Sequence, residues 1–224
     1  MKKMTRLIIF DLDGTLLDTI DDLAAACNHA LMNCGCPARQ RDEYYRLVGR
    51  GIDNLFRGAL PEGMKDDGTV RKMRSFFVPY YNAHGCDLTK PYDGITEMLE
   101  KLSDKGIKLA VASNKYQEGT EALVKKFFSG FDFVRILGQR EGKPIKPDPQ
   151  IVLEAMEGVP GIRKDEVIYC GDSDVDMQTG NNAEVKTIGV TWGFRTKEEL
   201  LRHNPYLLAD TPDEIYDAAT QDIE

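Results

Sequence analysis

Thr5-Arg-Leu-Ile-Ile-Phe-Asp-Leu-Asp-Gly-Thr-Leu-Leu-Asp-Thr19 decides how the rest of the chain is read. Leu7 to Phe10 is short and wholly apolar, as a strand is when both its faces are buried in the middle of a parallel sheet. The run stops at Asp11. Asp13 follows two residues on, so an extended backbone points both carboxylates the same way. Gly14 lets the chain turn sharply after them. Ligands of open α/β sheets bind beyond the carboxyl ends of the strands, where this pair falls. Neighbouring carboxylates repel and need a proton or a cation between them, and an oxygen-rich acidic site of this kind suits magnesium. A lone Asp-x-Asp-Gly also serves merely to solvate a strand end, so its partners further along decide the matter.

Downstream, Ile20, Leu23, Ala24, Cys27, Ala30 and Leu31 recur with helical period, and Thr19 or Asp18 can cap that helix. Amphipathic helical segments continue over 43–48, 52–60 and 70–81, punctuated by Gly49, Gly51, Pro61 and Gly63, with no strand among them. Such a block is too long for an ordinary crossover and reads as an inserted helical domain. After Pro91 helices and strands alternate. Helices are expected over 95–102 (stopping near Gly106), 118–128, 149–156 with Pro149 as first residue, 177–183, 198–203 and 213–219. Strands are expected over 108–112, 133–137, 166–170, 185–190 and, at an edge, 207–209. The fold class is therefore α/β, a doubly wound, Rossmann-like parallel sheet. Its core comprises residues 1–17 and 90–224, with an all-helical insertion over 18–89.

The residues at the strand ends are complementary. The first strand gives Asp11 and Asp13, the second Ser113 and Asn114 as candidate substrate ligands, the loop after the third Lys146, and the fourth Asp172 and Asp176. Core packing alone does not predict that coincidence. Four carboxylates cannot gather unpaired. A divalent cation can satisfy Asp11 and Asp172 while Lys146 offsets more charge, and a phosphate can then bridge the metal, Ser113 and Lys146. In such a site one aspartate can act as nucleophile through an aspartyl-phosphate. The second of the pair is placed to protonate the leaving alcohol and then activate water.

Composition is ordinary for a soluble globular protein. The 224 residues are 42% hydrophobic and 29% charged, and the net charge of −8 argues against nucleic acid or an anionic membrane as main partner. Met1-Lys2-Lys3 resembles the start of a leader, but Asp11 interrupts the following apolar run after four residues, so a cytoplasmic location is expected. Cys27, Cys34, Cys36, Cys86 and Cys170 include no Cys-x-x-Cys and are expected as free thiols. His29, His84 and His203 are isolated from one another and carry no assigned role.

Asp11-Leu-Asp-Gly-Thr15, Ser113, Lys146-Pro-Asp-Pro and Gly171-Asp-Ser-x-x-Asp176 resemble, in order and context, the four motifs of the haloacid dehalogenase superfamily. The helical block resembles that superfamily's inserted cap. Lys90-Pro-Tyr-Asp-Gly-Ile95 and Val190-Thr-Trp-Gly-Phe-Arg195 resemble its phosphoglycolate phosphatase branch. The resemblance implies Asp11 as nucleophile, Asp13 as general acid/base, and Ser113 and Lys146 as phosphate ligands. It implies magnesium held by Asp11, the Asp13 carbonyl and Asp172, with Asp176 supporting directly or through water. Lys143-Pro144 mimics Lys146-Pro147, and the adjoining helix start favours Lys146. Dehalogenation is not expected, because the superfamily's dehalogenases do not use this acidic pair.

Within the cap, Gly49-Arg50-Gly51 forms a loop whose cation can meet a substrate carboxylate or simply be solvated. Residues 16–18 and 88–91 connect cap to core and are expected as hinges. Trp192, the only tryptophan, is expected to pack near the end of the fifth strand. The expected activity is magnesium-dependent hydrolysis of a small phosphate monoester, foremost 2-phosphoglycolate, by a monomer or homodimer. A pyrophosphatase, a sugar or nucleotide monophosphate phosphatase and a β-phosphoglucomutase-like mutase share the chemistry. A phospho-acceptor signalling domain is a more distant reading.

Overall fold

The computed structural model describes residues 4–221, so Met1-Lys2-Lys3 lies outside the described residues. The strands are β1 (Leu7–Phe10), β2 (Leu17–Asp18), β3 (Lys90–Pro91), β4 (Lys108–Tyr116), β5 (Phe133–Gln139), β6 (Val167–Gly171), β7 (Lys186–Val190) and β8 (Leu207–Ala209). Six of them form one parallel sheet in the order β5-β4-β1-β6-β7-β8. β1 is central and flanked by β4 and β6, as its unbroken apolar run requires. Its side chains alternate between faces. Ile8 and Phe10 join one buried cluster with Val111, Ile168 and Ile188, whereas Leu7 and Ile9 join another with Ala110, Val167 and Tyr169. The chain leaves β1 for one side of the sheet and later returns to the other. The crevice beyond the carboxyl ends of β1, β4 and β6 is thus the topological switch point, where ligands of such sheets bind.

The helices are α1 (Ile20–Asn33), α2 (Tyr44–Leu47), α3 (Ile52–Ala59), α4 (Asp67–His84), α5 (Ile95–Asp104), α6 (Gln117–Phe127), α7 (Gln150–Met156), α8 (Asp174–Ala183), α9 (Lys197–Leu201) and α10 (Pro212–Thr220). Helices α5, α6 and α10 send Leu99, Leu123 and Ile215 into the first cluster, and α7 sends Val152 and Ala155 into the second. The first four helices surround a third cluster of their own, centred on Tyr44, Phe56, Met73 and Phe77. Phe77 meets Phe56 edge-on at 5.2 Å and stacks on Tyr81 at 5.3 Å. Each fully buried phenylalanine there contributes on the order of 1.5–3 kcal/mol. That separate core explains why the block reads as helical and amphipathic throughout.

Several elements run beyond their expected limits, each for a local reason. β4 continues to Tyr116, which pairs with Gln139, so Ser113 and Asn114 lie within the strand instead of after it. α4 begins early because the Asp66 side chain accepts from the Gly68 and Thr69 amides. α8 begins at Asp174 because Ser173 and Asp176 form a reciprocal capping box. Pro149 occupies the cap position of α7, one residue before the helix.

The two connections between sheet and helical block pair with each other. β2 and β3 form an antiparallel ribbon, Leu17 opposite Pro91 and Asp18 opposite Lys90. Asp22, buried in the first turn of α1, accepts from the Leu88 and Thr89 amides at 3.1 and 2.8 Å and from the Thr89 hydroxyl at 2.7 Å. All five cysteines are free. Among the described residues, no helix is long and apolar enough to cross a membrane.

Candidate active site

Asp11 stands at the end of β1, its amide donating to the Cys170 carbonyl of β6 at 2.8 Å. That register brings Asp172 and Asp176, which follow β6, alongside it. One carboxylate oxygen from each of Asp11, Asp172 and Asp176 lies within 4.8 Å of the others, and all three residues are buried. Gly14 is required here for two reasons. Its φ of +88° favours glycine, and a Cβ would run into the Asp172 carboxylate.

Lys146 is the counter-charge. Its buried Nζ lies 2.8 Å from Asp11 Oδ1 and 2.7 Å from Asp176 Oδ1, and donates to the Ala112 carbonyl at 3.1 Å and the Tyr169 hydroxyl at 3.0 Å. Lys143, its sequence mimic, is half-exposed and lies 3.8 Å from Glu154 instead. The Asp176 carboxylate is fully engaged. Oδ1 accepts from Lys146 and, at 2.8 Å, from the Tyr169 hydroxyl, while Oδ2 accepts from the Ser173 hydroxyl at 2.5 Å and the Ser173 amide at 3.1 Å. Asp172 accepts from the Phe194 amide at 2.6 Å and weakly from the Thr15 hydroxyl at 3.4 Å.

Burial and crowding set the protonation of this cluster. Burial pushes Asp11 up to about 7, with Lys146 pulling the other way and Asp176 and Asp13 adding to the rise. Burial, then the charges of Asp176 and Asp11, holds Asp172 well above the usual carboxylate range. Asp176 is also buried, but Lys146 and its hydrogen-bond donors outweigh that and hold it below the usual range. Three buried carboxylates facing one ammonium leave excess negative charge. The donor set is all oxygen, which fits a hard divalent cation at Asp11 and Asp172. Asp176, with its lone pairs already used, is better suited to stand behind such an ion than to touch it.

The remaining expected site residues divide. Ser113 is buried at the rim of the cleft, its hydroxyl accepting from the Lys115 amide at 3.3 Å. Asn114 was expected among the substrate ligands, but its amide is spent on protein. It donates to the Gly49 and Lys146 carbonyls at 2.9 and 3.2 Å and accepts from the Lys146 amide at 2.9 Å. It therefore positions the lysine loop against the helical block. Arg50, the expected carboxylate partner, is 54% exposed and does not line the cleft; its guanidinium pairs with Asp174 at 2.6 Å. Asp174 is a deeper anion anchored at the start of α8, so it captures the arginine that the loop presents. Trp192 packs against Tyr92 and donates from Nε1 to the Thr15 carbonyl at 3.0 Å.

Three residues escaped sequence reasoning. Lys115 is buried, and its Nζ pairs with both carboxylate oxygens of Asp13 at 3.0 Å. It lies two residues after Ser113, so the i, i+2 spacing that singled out Asp11 and Asp13 also signals Lys115. Tyr169 sits in an apolar run and reads as core, yet its hydroxyl ties Lys146 to Asp176. Arg195 donates to the Tyr45 and Val48 carbonyls at the end of α2, fastening the helical block to the sheet.

The cleft lies between this acidic floor and the helical block, with a cavity volume of about 40 Å³. Asp11, Asp13, Ser113 and Lys115 line it from the sheet, and Leu23, Val48, Ile52, Leu55 and Phe77 from the helices.

The chain belongs to the haloacid dehalogenase-like hydrolases, a family that matches it over residues 8–190. It is a phosphoric monoester hydrolase similar to the phosphoglycolate phosphatase branch of that family. A phosphoglycolate phosphatase of Vibrio parahaemolyticus is 31% identical over 215 residues, 94% of this chain and 94% of that one. Another, from Aquifex aeolicus, is 34% identical over 84% of this chain and 86% of its own length. A crystal structure from Lactobacillus delbrueckii subsp. bulgaricus superposes with a TM-score of 0.88 at 31% identity, over 96% of this chain and 98% of that one.

Proposed function

We propose that the chain hydrolyses 2-phosphoglycolate with a divalent cation, magnesium foremost, through an aspartyl-phosphate on Asp11. The observation that carries this reading is the position of Asp11. It both lines the cleft and belongs to the buried acidic cluster, so one carboxylate faces the substrate and the cation site together. Held by Asp11, Asp172 and the Asp13 carbonyl, with Asp176 behind, the cation would neutralise phosphoryl oxygen charge. The Asp11 carboxylate attacks phosphorus as the ester P–O bond breaks, and Asp13 gives its proton to the departing alkoxide. Asp13 then takes a proton from water, the water oxygen attacks the phosphoryl group, and phosphate leaves with Asp11 restored. Ser113 and Lys146 orient the phosphoryl oxygens, while Tyr169 and Asp176 fix the Lys146 ammonium. The helical block acts as the cap, and the paired connections β2 and β3 act as its hinge.

The lining supports a small ester. The helical side of the cleft offers no polar side chain to bind the hydroxyls of a sugar ring. That weighs against a sugar-phosphate mutase. The support for phosphoglycolate itself is the similarity to phosphatases of that name. The test is phosphate release, with and without magnesium, from 2-phosphoglycolate, pyrophosphate and a panel of sugar and nucleotide monophosphates. Metal-dependent release favouring phosphoglycolate, and lost by at least about 10³-fold in Asp11→Asn, is expected. A preference for another ester would discard the substrate and keep the chemistry. Unimpaired turnover in Asp11→Asn would discard the nucleophile.

A further inference from the structure

With Arg50 turned outward, the cleft needs another group to recognise the acid end of its substrate. Lys115 is the one cation among the described residues lining the cleft. Lys146, the other buried ammonium of the site, is surrounded by Asp11, Asp176, Ala112 and Tyr169 on the floor. Lys115 is held from both sides. Its Nζ pairs with both Asp13 oxygens, and it lies 4.6 Å from the centre of the Tyr81 ring, on α4 of the helical block. Its side chain is 4% exposed, so the pair is shielded from water and from salt. Facing it across the cleft are Leu23, Val48, Ile52, Leu55 and Phe77, none of which can receive or repel an anion.

Building on the reading of the site as one for small phosphoesters, we infer that Lys115 is the specificity residue, its ammonium receiving the carboxylate at the far end of the substrate. The geometry explains how one lysine serves two states. In the free protein the ammonium neutralises Asp13, which would otherwise be a second carboxylate facing the same cleft as Asp11. When an acid ester enters, its carboxylate competes for that ammonium, and Asp13 is left facing the ester oxygen. A neutral ester of the same size has nothing to offer Lys115, and the lysine stays on Asp13. Selection for an acid group is thereby tied to release of the residue that must act on the leaving oxygen. A lysine suits the exchange because its ammonium is a compact charge on a flexible stem, free to move between two carboxylates.

The test compares 2-phosphoglycolate with 2-hydroxyethyl phosphate in the wild type, Lys115→Met and Lys115→Gln. The acid ester is expected to slow in the variants, whereas the neutral ester should gain, because Asp13 is no longer held by the ammonium. The ratio of kcat/KM for the acid ester to that for the neutral ester should fall by about 30-fold or more, the scale of one lost buried ion contact. Calorimetric titration with 3-phosphonopropionate and propylphosphonate gives the same comparison without turnover, and should show the acid phosphonate alone losing its advantage. Lys115→Gln still donates a hydrogen bond to Asp13 and guards against a folding defect in Lys115→Met. If the wild type prefers phosphoglycolate and both variants keep that preference, the assignment of Lys115 is overturned while the substrate stands. If the wild type shows no preference for the acid ester, the phosphoglycolate reading falls and the carboxylate assignment falls with it.

Discussion

On the floor of the cleft, Asp11, Asp172, Asp176, Lys146 and Tyr169 are buried, charged or polar, and bonded to one another. On its roof, Leu23, Val48, Ile52, Leu55 and Phe77 are apolar, contributed by α1, α3, α4 and the loop between α2 and α3, and supported by a separate hydrophobic cluster. The floor is held by charge, since removing Lys146 leaves two buried carboxylates without their ammonium. The roof is held by packing, which tolerates change of shape as long as volume is kept. Chemistry is therefore fixed where the sheet dictates it, and selection is left to a surface that can vary without disturbing it. Lys115 lies at the seam and belongs to both.

The sharpest way to break this contrast is to remove the counter-charge of the floor. Lys146→Met keeps the stem but leaves Asp11 and Asp176 without their ammonium, and should cost about 3–5 kcal/mol of stability by chemical denaturation. A loss below about 1 kcal/mol would mean that the floor does not depend on its lysine.

A smaller effect should appear with pH. Asp11 is raised from 3.8 to about 7, so between those values the folded protein binds the proton that the unfolded chain has lost. Stability of the metal-free protein accordingly falls as pH rises through that window. The expected drop in midpoint from pH 5 to pH 8 is roughly 5–10 degrees, the effect of about 2–3 kcal/mol, and it should shrink in Asp11→Asn. Magnesium should stabilise the protein more at pH 8 than at pH 5, because binding must displace that proton. Equal stabilisation at both values would place the ion away from Asp11.

The smallest effect belongs outside the cleft. Arg50→Ala removes an exposed ion pair with Asp174 and should change stability by no more than about 1 kcal/mol. It should also leave KM for phosphoglycolate within about twofold. A tenfold rise would return Arg50 to the substrate.

The architecture was legible because its signals were local. The apolar run of β1, the alternation after Pro91 and the strandless stretch between them specify the sheet and the insertion, and the acidic pairs fall at strand ends. What was obscured depends on where an element ends and what lies across from it. Ala112 appeared to close β4 because the following residues are polar, yet Tyr116 still pairs with Gln139, and this extension carries Lys115 to the cleft. Arg50 showed the right charge in a flexible loop. Nothing in its own neighbourhood revealed that Asp174, distant in sequence, would hold it outside. Tyr169 satisfied the strand pattern so well that its hydroxyl went unnoticed.

The ribbon of β2 and β3 has a consequence for how such proteins diversify. Leu17 and Pro91 are paired, so the helical block begins and ends at one point on the sheet. To the sheet, the whole block is a single closed loop. Closing a loop costs only about 0.6 kcal/mol more for each doubling of its length. An insertion much larger or smaller than this one can therefore be carried at the same junction with little penalty to the sheet. Lineages are free to exchange the roof wholesale while the floor beneath it keeps doing the same chemistry.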